Sequence, residues 1–170
     1  MEYPILGTEP LPVEFANTRY GDFDCLGTPD LASGWFTEMS LAPCDPTQAR
    51  TLRDAVLVLL SAWAAGEELA PEPAEVVNTF AATSPTTLRL TGSGRTWSAA
   101  WTPVGPDAPL GRIATCTVEL LADARELRRC AAPDCGLLFA PHHARRRFCH
   151  PTCSGRTRQS RYYRRNLETT

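Results

Sequence analysis

The chain has 170 residues, 43% of them apolar, with a formal net charge of −2, enough for one ordinary domain or a domain plus a small module. No apolar run reaches the roughly 18 residues of a membrane helix; the longest candidate, Ala55–Ala65, is too short. The start, Met1-Glu2-Tyr3-Pro4, has neither a basic nor an apolar leader segment, so a cytoplasmic, non-membrane protein with reduced thiols is expected.

Residues 1–27, with Pro4, Pro10, Pro12, Gly7, Gly21 and Gly27, read as extended and loop-like. Thr28-Pro29-Asp30 then gives a helix start: a hydroxyl cap, proline at the first helical position and an acid in the first turn. Leu31, Trp35, Phe36 and Met39 follow at helical spacing. Asp45-Pro46 repeats the signal for the strongest helix, over about 46–65, where Leu52, Val56, Leu59, Leu60 and Trp63 face a core and Gly66 ends the run. A helix near 72–82 carries Val76, Val77 and Phe80. Leu88-Arg-Leu90 and Trp97-Ser-Ala-Ala-Trp101 flank Gly92-Ser-Gly94 and predict a hairpin. Beyond the prolines at 103, 106 and 109, a helix over about 110–128 is expected. Its inward set is Ile113, Cys116, Val118, Leu120, Leu121 and Leu127, and it runs directly into Cys130.

The net charge hides two opposite halves. Residues 124–165 hold eleven arginines against Glu126 and Asp134, a balance of +9; residues 1–123 hold six arginines against sixteen acids, a balance of −10. All seventeen cations are arginine. A GC-rich coding bias would explain that choice of cation but not the crowding. A basic region of this kind points to a polyanion, and the planar arginine fork suits phosphate; neutralisation of one half by the other is the plainer alternative.

Within the basic half, Cys130-Ala-Ala-Pro-Asp-Cys135 is followed after thirteen residues by Cys149-His-Pro-Thr-Cys153. Two close thiol pairs joined by a short insert suit tetrahedral zinc, each pair giving two soft ligands from one turn. Two disulfides are the rival reading; seven cysteines, an odd number, and the absence of a leader speak against it. Four thiolates and one Zn2+ would lower the module's balance from +9 to +7. They would also close the metal's shell, making it structural, with His142, His143 and His150 as substitutes only. Cys25, Cys44 and Cys116 have no partner at ligand spacing.

Several of these residues resemble a known family. Leu127-Arg-Arg-Cys130 to Cys135-Gly-Leu-Leu-Phe139, then Arg145-Arg-Arg-Phe148-Cys149, Cys153 and Arg156, are similar to the CGNR zinc finger. Val13-Glu-Phe-Ala-Asn17-Thr and Thr28-Pro-Asp-Leu-Ala are similar to the opening of the helical ABATE domain that precedes it. The name-giving tetrad is here Cys153-Ser154-Gly155-Arg156. The resemblance implies a transcription regulator whose finger contacts DNA.

Cys149 and Cys153 would then open a final helix. At about 100° per residue, Cys149, Cys153, Arg156 and Tyr163 share one side of it, while Arg158, Arg161 and Arg165 fall within about a 60° sector on the other. Arg156 and Tyr163 are expected to support the finger. Arg158, Arg161 and Arg165 are expected to contact phosphates, with Arg145, Arg146 and Arg147 adding a patch from the insert. Asn17, Arg19, Asp22 and Asp24 form a polar cluster that would line a ligand pocket or simply a surface loop.

The expected architecture is mainly α with a small β-hairpin. Residues 1–125 form a helical domain for ligand sensing or dimerisation, and residues 126–170 a basic, treble-clef-like module with one zinc ion. A DNA-binding regulator, taking a small-molecule effector or forming a homodimer, is the favoured function. No paired base and nucleophile is visible, so a zinc-stabilised enzyme of specialised metabolism comes second, and an RNA or protein-interaction module third.

Overall fold

The computed structural model describes residues 5–105 and 108–167, with side chains except those of residues 101, 103 and 161–167. Its order is α1 (Leu11–Ala16), β1 (Arg19–Tyr20), β2 (Phe23–Asp24), α2 (Pro29–Glu38), α3 (Pro46–Ala65), α4 (Pro71–Thr83), β3 (Thr86–Ser93), β4 (Thr96–Pro103), α5 (Ala108–Ala122), β5 (Arg128–Arg129), β6 (Leu138–Phe139) and α6 (Pro151–Leu167). The strands form three separate antiparallel pairs, β1–β2, β3–β4 and β5–β6. The chain is thus mainly helical with small hairpins, as the sequence predicts.

Helix starts are set by local chemistry. Thr28 caps α2 by accepting from the Leu31 amide at 3.3 Å, and Asp45 caps α3 by accepting from the Gln48 amide at 2.8 Å. Proline occupies the first turn in both, where its missing N–H costs nothing because no intrahelical acceptor exists there. Gly66 ends α3 at φ 72°, a left-handed cap that glycine takes without a Cβ penalty.

Residues 1–27 depart from the loop expected of them. Pro12 lies in the first turn of the six-residue helix α1, and Val13, Phe15 and Ala16 are fully buried. A short helix buried all round shows no amphipathic period, so periodicity could not reveal it. Phe15 meets Trp35 at 5.5 Å and Phe36 at 6.5 Å between ring centroids. Leu52, Val56, Leu59 and Leu60 of α3 and Leu110, Ile113 and Ala114 of α5 complete the core around it.

Three further expectations are corrected. Helix α5 ends at Ala122, well before the expected 128, because Ala124 turns left-handed at φ 50° and the Arg125 amide reaches back to the Leu120 carbonyl. An alanine stands where the usual glycine signal would be. The β3–β4 turn is Gly94-Arg95, since Ser93 pairs with Thr96 and Gly92 lies inside the strand. Val118 of α5 faces outward, 43% exposed. Where α5 crosses the end of α4, a Cβ on Gly111 would lie 1.8 Å from the Ser84 Cβ, so only glycine permits that approach.

The two expected units pack against each other, although the cysteine module keeps a small cluster of its own. Leu127, Leu138 and Ala140 pack into the helical body, while Leu6 packs against the cysteine module. Asn17 joins them directly: its amide donates to the Leu138 carbonyl and accepts from the Leu138 amide, both at 2.9 Å. Glu9 adds a second tie, taking the Ala140 amide at 2.6 Å and the Arg146 guanidinium at 2.9 Å. Buried Glu14 holds that entry segment by accepting from the amides of Leu6, Gly7 and Glu9.

Candidate metal centre and basic module

Strands β5 and β6 pair Arg128 with Phe139 and Arg129 with Leu138, so residues 130–137 form the tight loop of a hairpin. Cys130 leaves β5 and donates its amide to the Leu137 carbonyl at 2.9 Å; Cys135 donates its amide to the Ala132 carbonyl at 3.1 Å. The two thiols of this loop therefore turn to one side. The second pair comes from the entry to α6. Cys149 precedes the helix and donates its amide to the Cys130 sulfur at 3.4 Å, and Cys153 lies in the first turn.

The four sulfurs lie within 4.8 Å of one another, with Cys135–Cys149 at 3.6 Å and Cys149–Cys153 at 3.7 Å. A tetrahedral zinc with bonds of about 2.3 Å requires sulfurs about 3.8 Å apart, whereas a disulfide requires about 2.05 Å. The donor set thus fits one structural zinc ion per chain, closed by four cysteines. His142, His143 and His150 are exposed, and His150 Nδ1 instead meets the Thr152 hydroxyl at 2.9 Å.

Proton affinities express the same crowding. A hydrogen bond from the Cys149 thiol draws Cys135 down to about 5, and as the donor Cys149 is pushed up. Burial raises Cys130 against the opposing amides of Ala132 and Cys149, while the Leu137 amide adds to the favouring of the Cys135 thiolate. A divalent ion would replace the remaining thiol protons. Outside the cluster, burial pushes Cys25 up to about 11 and also raises Cys116, as for core thiols.

The arginines divide into two sets. Arg146 is mostly buried: its guanidinium lies 4.7 Å from the Phe139 ring centroid, pairs with Glu9, and donates to the carbonyls of Ala140, Phe148 and Cys149. Arg146 thus clamps the insert: each of its three nitrogens has a partner within the protein, unlike the free guanidinium expected for a phosphate contact. Arg128 binds the carbonyls of Ala144 and Arg146 and pairs with Glu126, and Arg129 donates to the Gly136 carbonyl. Arg156 points its guanidinium at the Cys153 sulfur, 3.4 Å away, on the metal side of α6 as expected.

Arg145, Arg147 and Arg158 are exposed, and their guanidinium groups meet no acid among the described residues. Arg145 and Arg147 line a shallow groove of about 590 Å³ with His142, His143, His150 and Ser154 at the start of α6. The backbone of Arg161, Tyr163 and Arg165 continues α6; their side chains lie outside the described residues.

The polar cluster of the first segment is placed differently. Asn17 is buried at the junction with Leu138. Asp24 accepts both terminal nitrogens of Arg53, at 2.8 and 2.9 Å, and Arg53 is 1% exposed. Arg53 also reaches Asp54, which lies 3.8 Å from Arg19, while Asp22 is exposed at the β1–β2 turn. The Arg53 side chain favours the ionised Asp24, whose carboxyl is lowered below the ordinary range. Sequence reasoning missed Arg53, Glu9, Arg128 and Arg129. An arginine at a core position of the α3 period was a signal for the first; Arg128 and Arg129 stood in the family-like Leu127-Arg-Arg-Cys130 stretch without an assigned role, and nothing local marked Glu9.

Comparison with known families agrees with this construction. The ABATE profile, described as a putative stress-induced transcription regulator, matches residues 9–124, and the CGNR zinc finger profile matches residues 126–166. The chain belongs to the ABATE family and carries a C-terminal CGNR zinc finger. No match was found among curated proteins.

Proposed function

We propose that this protein is a regulator that binds duplex DNA through the arginines its zinc module leaves unpaired. The observation that supports the reading is the division of those arginines. Arg128, Arg129, Arg146 and Arg156 hold the module together, whereas Arg145 and Arg147, just before α6, and Arg158, about two turns along it, are exposed. Exposed guanidinium groups without acidic partners suit phosphates, and each contact releases counterions. The family description gives the same class of role. Arg161 and Arg165, further along α6, would extend the face. The acidic body, with its balance of −10 over residues 1–123, would turn away from the duplex.

The test is fluorescence anisotropy on duplex DNA at two salt concentrations, with native protein and with Arg145, Arg147 and Arg158 changed to glutamine. Native protein should bind at low salt, and each phosphate contact removed should flatten the log–log salt slope by about 0.9. No binding at low salt, or equal binding by the variant, would end this reading. Binding to RNA in preference to duplex DNA would move the same face to the RNA module.

A further inference from the structure

The β3–β4 hairpin is exposed along nearly its whole length. Every described side chain from Thr86 to Ala100 faces solvent. Its two faces differ in chemistry. Register places Leu88 opposite Trp101, Leu90 opposite Ala99 and Gly92 opposite Trp97, and directly opposed residues share a face. One face therefore carries Leu88, Leu90, Trp97 and Ala99, with Trp101 at the position opposite Leu88. The other carries Thr87, Arg89, Thr91, Ser98 and Ala100, and Thr91 and Ser98 bond across it. Leu88 is 57% exposed, Leu90 68% and Trp97 56%.

We infer that this apolar face is a homodimer surface, covered by the same face of a second copy of the chain. A two-stranded ribbon is at best marginally stable without a layer against its apolar side. Here no described element of the same chain supplies one. The exposed area fits a weak contact with a second copy. Leu88, Leu90 and Trp97 together expose on the order of 350 Å². Two such faces remove about 700 Å² from water, less than the roughly 1,200 Å² of stable interfaces, so the dimer is a weak one that forms at high protein concentration.

The face is also suited to meet its own image. Arg89 lies on the opposite face and Arg95 in the turn, so no charge would be buried when two copies meet. The Trp97 indole nitrogen already donates to the Gly94 carbonyl at 3.0 Å, leaving its ring to be covered without orphaning a donor. An anionic lipid surface is a poorer occupant, since residues 1–123 carry a balance of −10 and would be repelled.

The test is sedimentation equilibrium of the full, zinc-loaded chain from micromolar to several hundred micromolar. The native protein should pass from monomer to dimer. Leu88→Glu/Leu90→Glu should remain monomeric over that range with unchanged helical circular dichroism, and Thr87→Glu/Thr91→Glu, on the other face, should still dimerise. A native chain that stays monomeric throughout, or a Leu88→Glu/Leu90→Glu chain that dimerises as well as native, overturns the inference. Should the double variant misfold, tryptophan emission of native protein on dilution decides instead. A red shift that is absent in Trp97→Phe/Trp101→Phe supports the interface, and a shift that persists in that double variant, or no shift in native protein, refutes it. The readout is independent of nucleic acid.

Discussion

The helical body and the cysteine module meet the same requirement by different means. The body buries Trp35, Phe15, Phe36 and the apolar face of α3 around one centre; its order follows from removing apolar area from water. The module has a much smaller cluster, built on Phe139, Leu137 and the thiols themselves. A cluster of that size cannot offset the chain entropy of some forty residues. It relies on cross-links: a metal, a buried ion pair and backbone carbonyls held by arginine. The comparison shows why cations crowd one region yet do different work there. In the module an arginine is as much a structural tie as a surface charge.

The sharpest way to break the comparison is to remove the metal. Cys135→Ser should lose the zinc measured in native protein at about one ion per chain and disorder residues 128–167. Structural zinc contributes on the order of 10 kcal/mol in isolated fingers. Most helical circular dichroism, from α1 to α5, should survive. Loss of all of it would show that the body depends on the module.

Next in size is the ion pair that Arg53 sinks into the body. Asp24→Ala removes the acceptor of both terminal nitrogens of the buried Arg53 and leaves its guanidinium only Asp54 and the Thr18 hydroxyl, which should cost up to about 3 kcal/mol in urea unfolding. The pH dependence follows from the lowered Asp24 carboxyl. Its contribution is present above the unfolded aspartate range, near 3.8, and is lost as pH falls through the lower folded value. Asp24→Asn should therefore flatten the acid limb of the stability curve, which native protein should show steeply.

The seam between the regions is weaker. Asn17→Ala leaves the Leu138 amide and carbonyl without partners and should cost about 1–3 kcal/mol. Hydrogen exchange should rise first at residues 137–140 rather than in α3. The smallest effect separates two adjacent arginines. Arg147→Gln should change stability by no more than about 0.5 kcal/mol, as for an exposed site. Arg146→Gln should lower it clearly, since it removes the partner of a fully buried Glu9 side chain. Equal thermal shifts for the two would remove the distinction between tie and surface charge.

Much of this was legible because it is local. A hydroxyl or carboxylate before proline starts α2 and α3, glycine stops α3, and two thiol pairs at short spacing announce the metal. Each is a contact between residues a few positions apart, so it can be read along the chain. The end of α5 was not legible, because Ala124 takes a conformation that the sequence gives no glycine to mark.

The chain by itself thus determined which of the longer segments become helices, which four sulfurs meet and which end is basic. Only tertiary structure decided that α1 is a helix at all, for its stability comes from burial on every side. Only tertiary structure assigned Arg146 to Glu9 and Asn17 to Leu138, across separations of 137 and 121 residues. Partners that far apart leave no periodic or neighbouring trace. Their pairing follows from the core that brings them together.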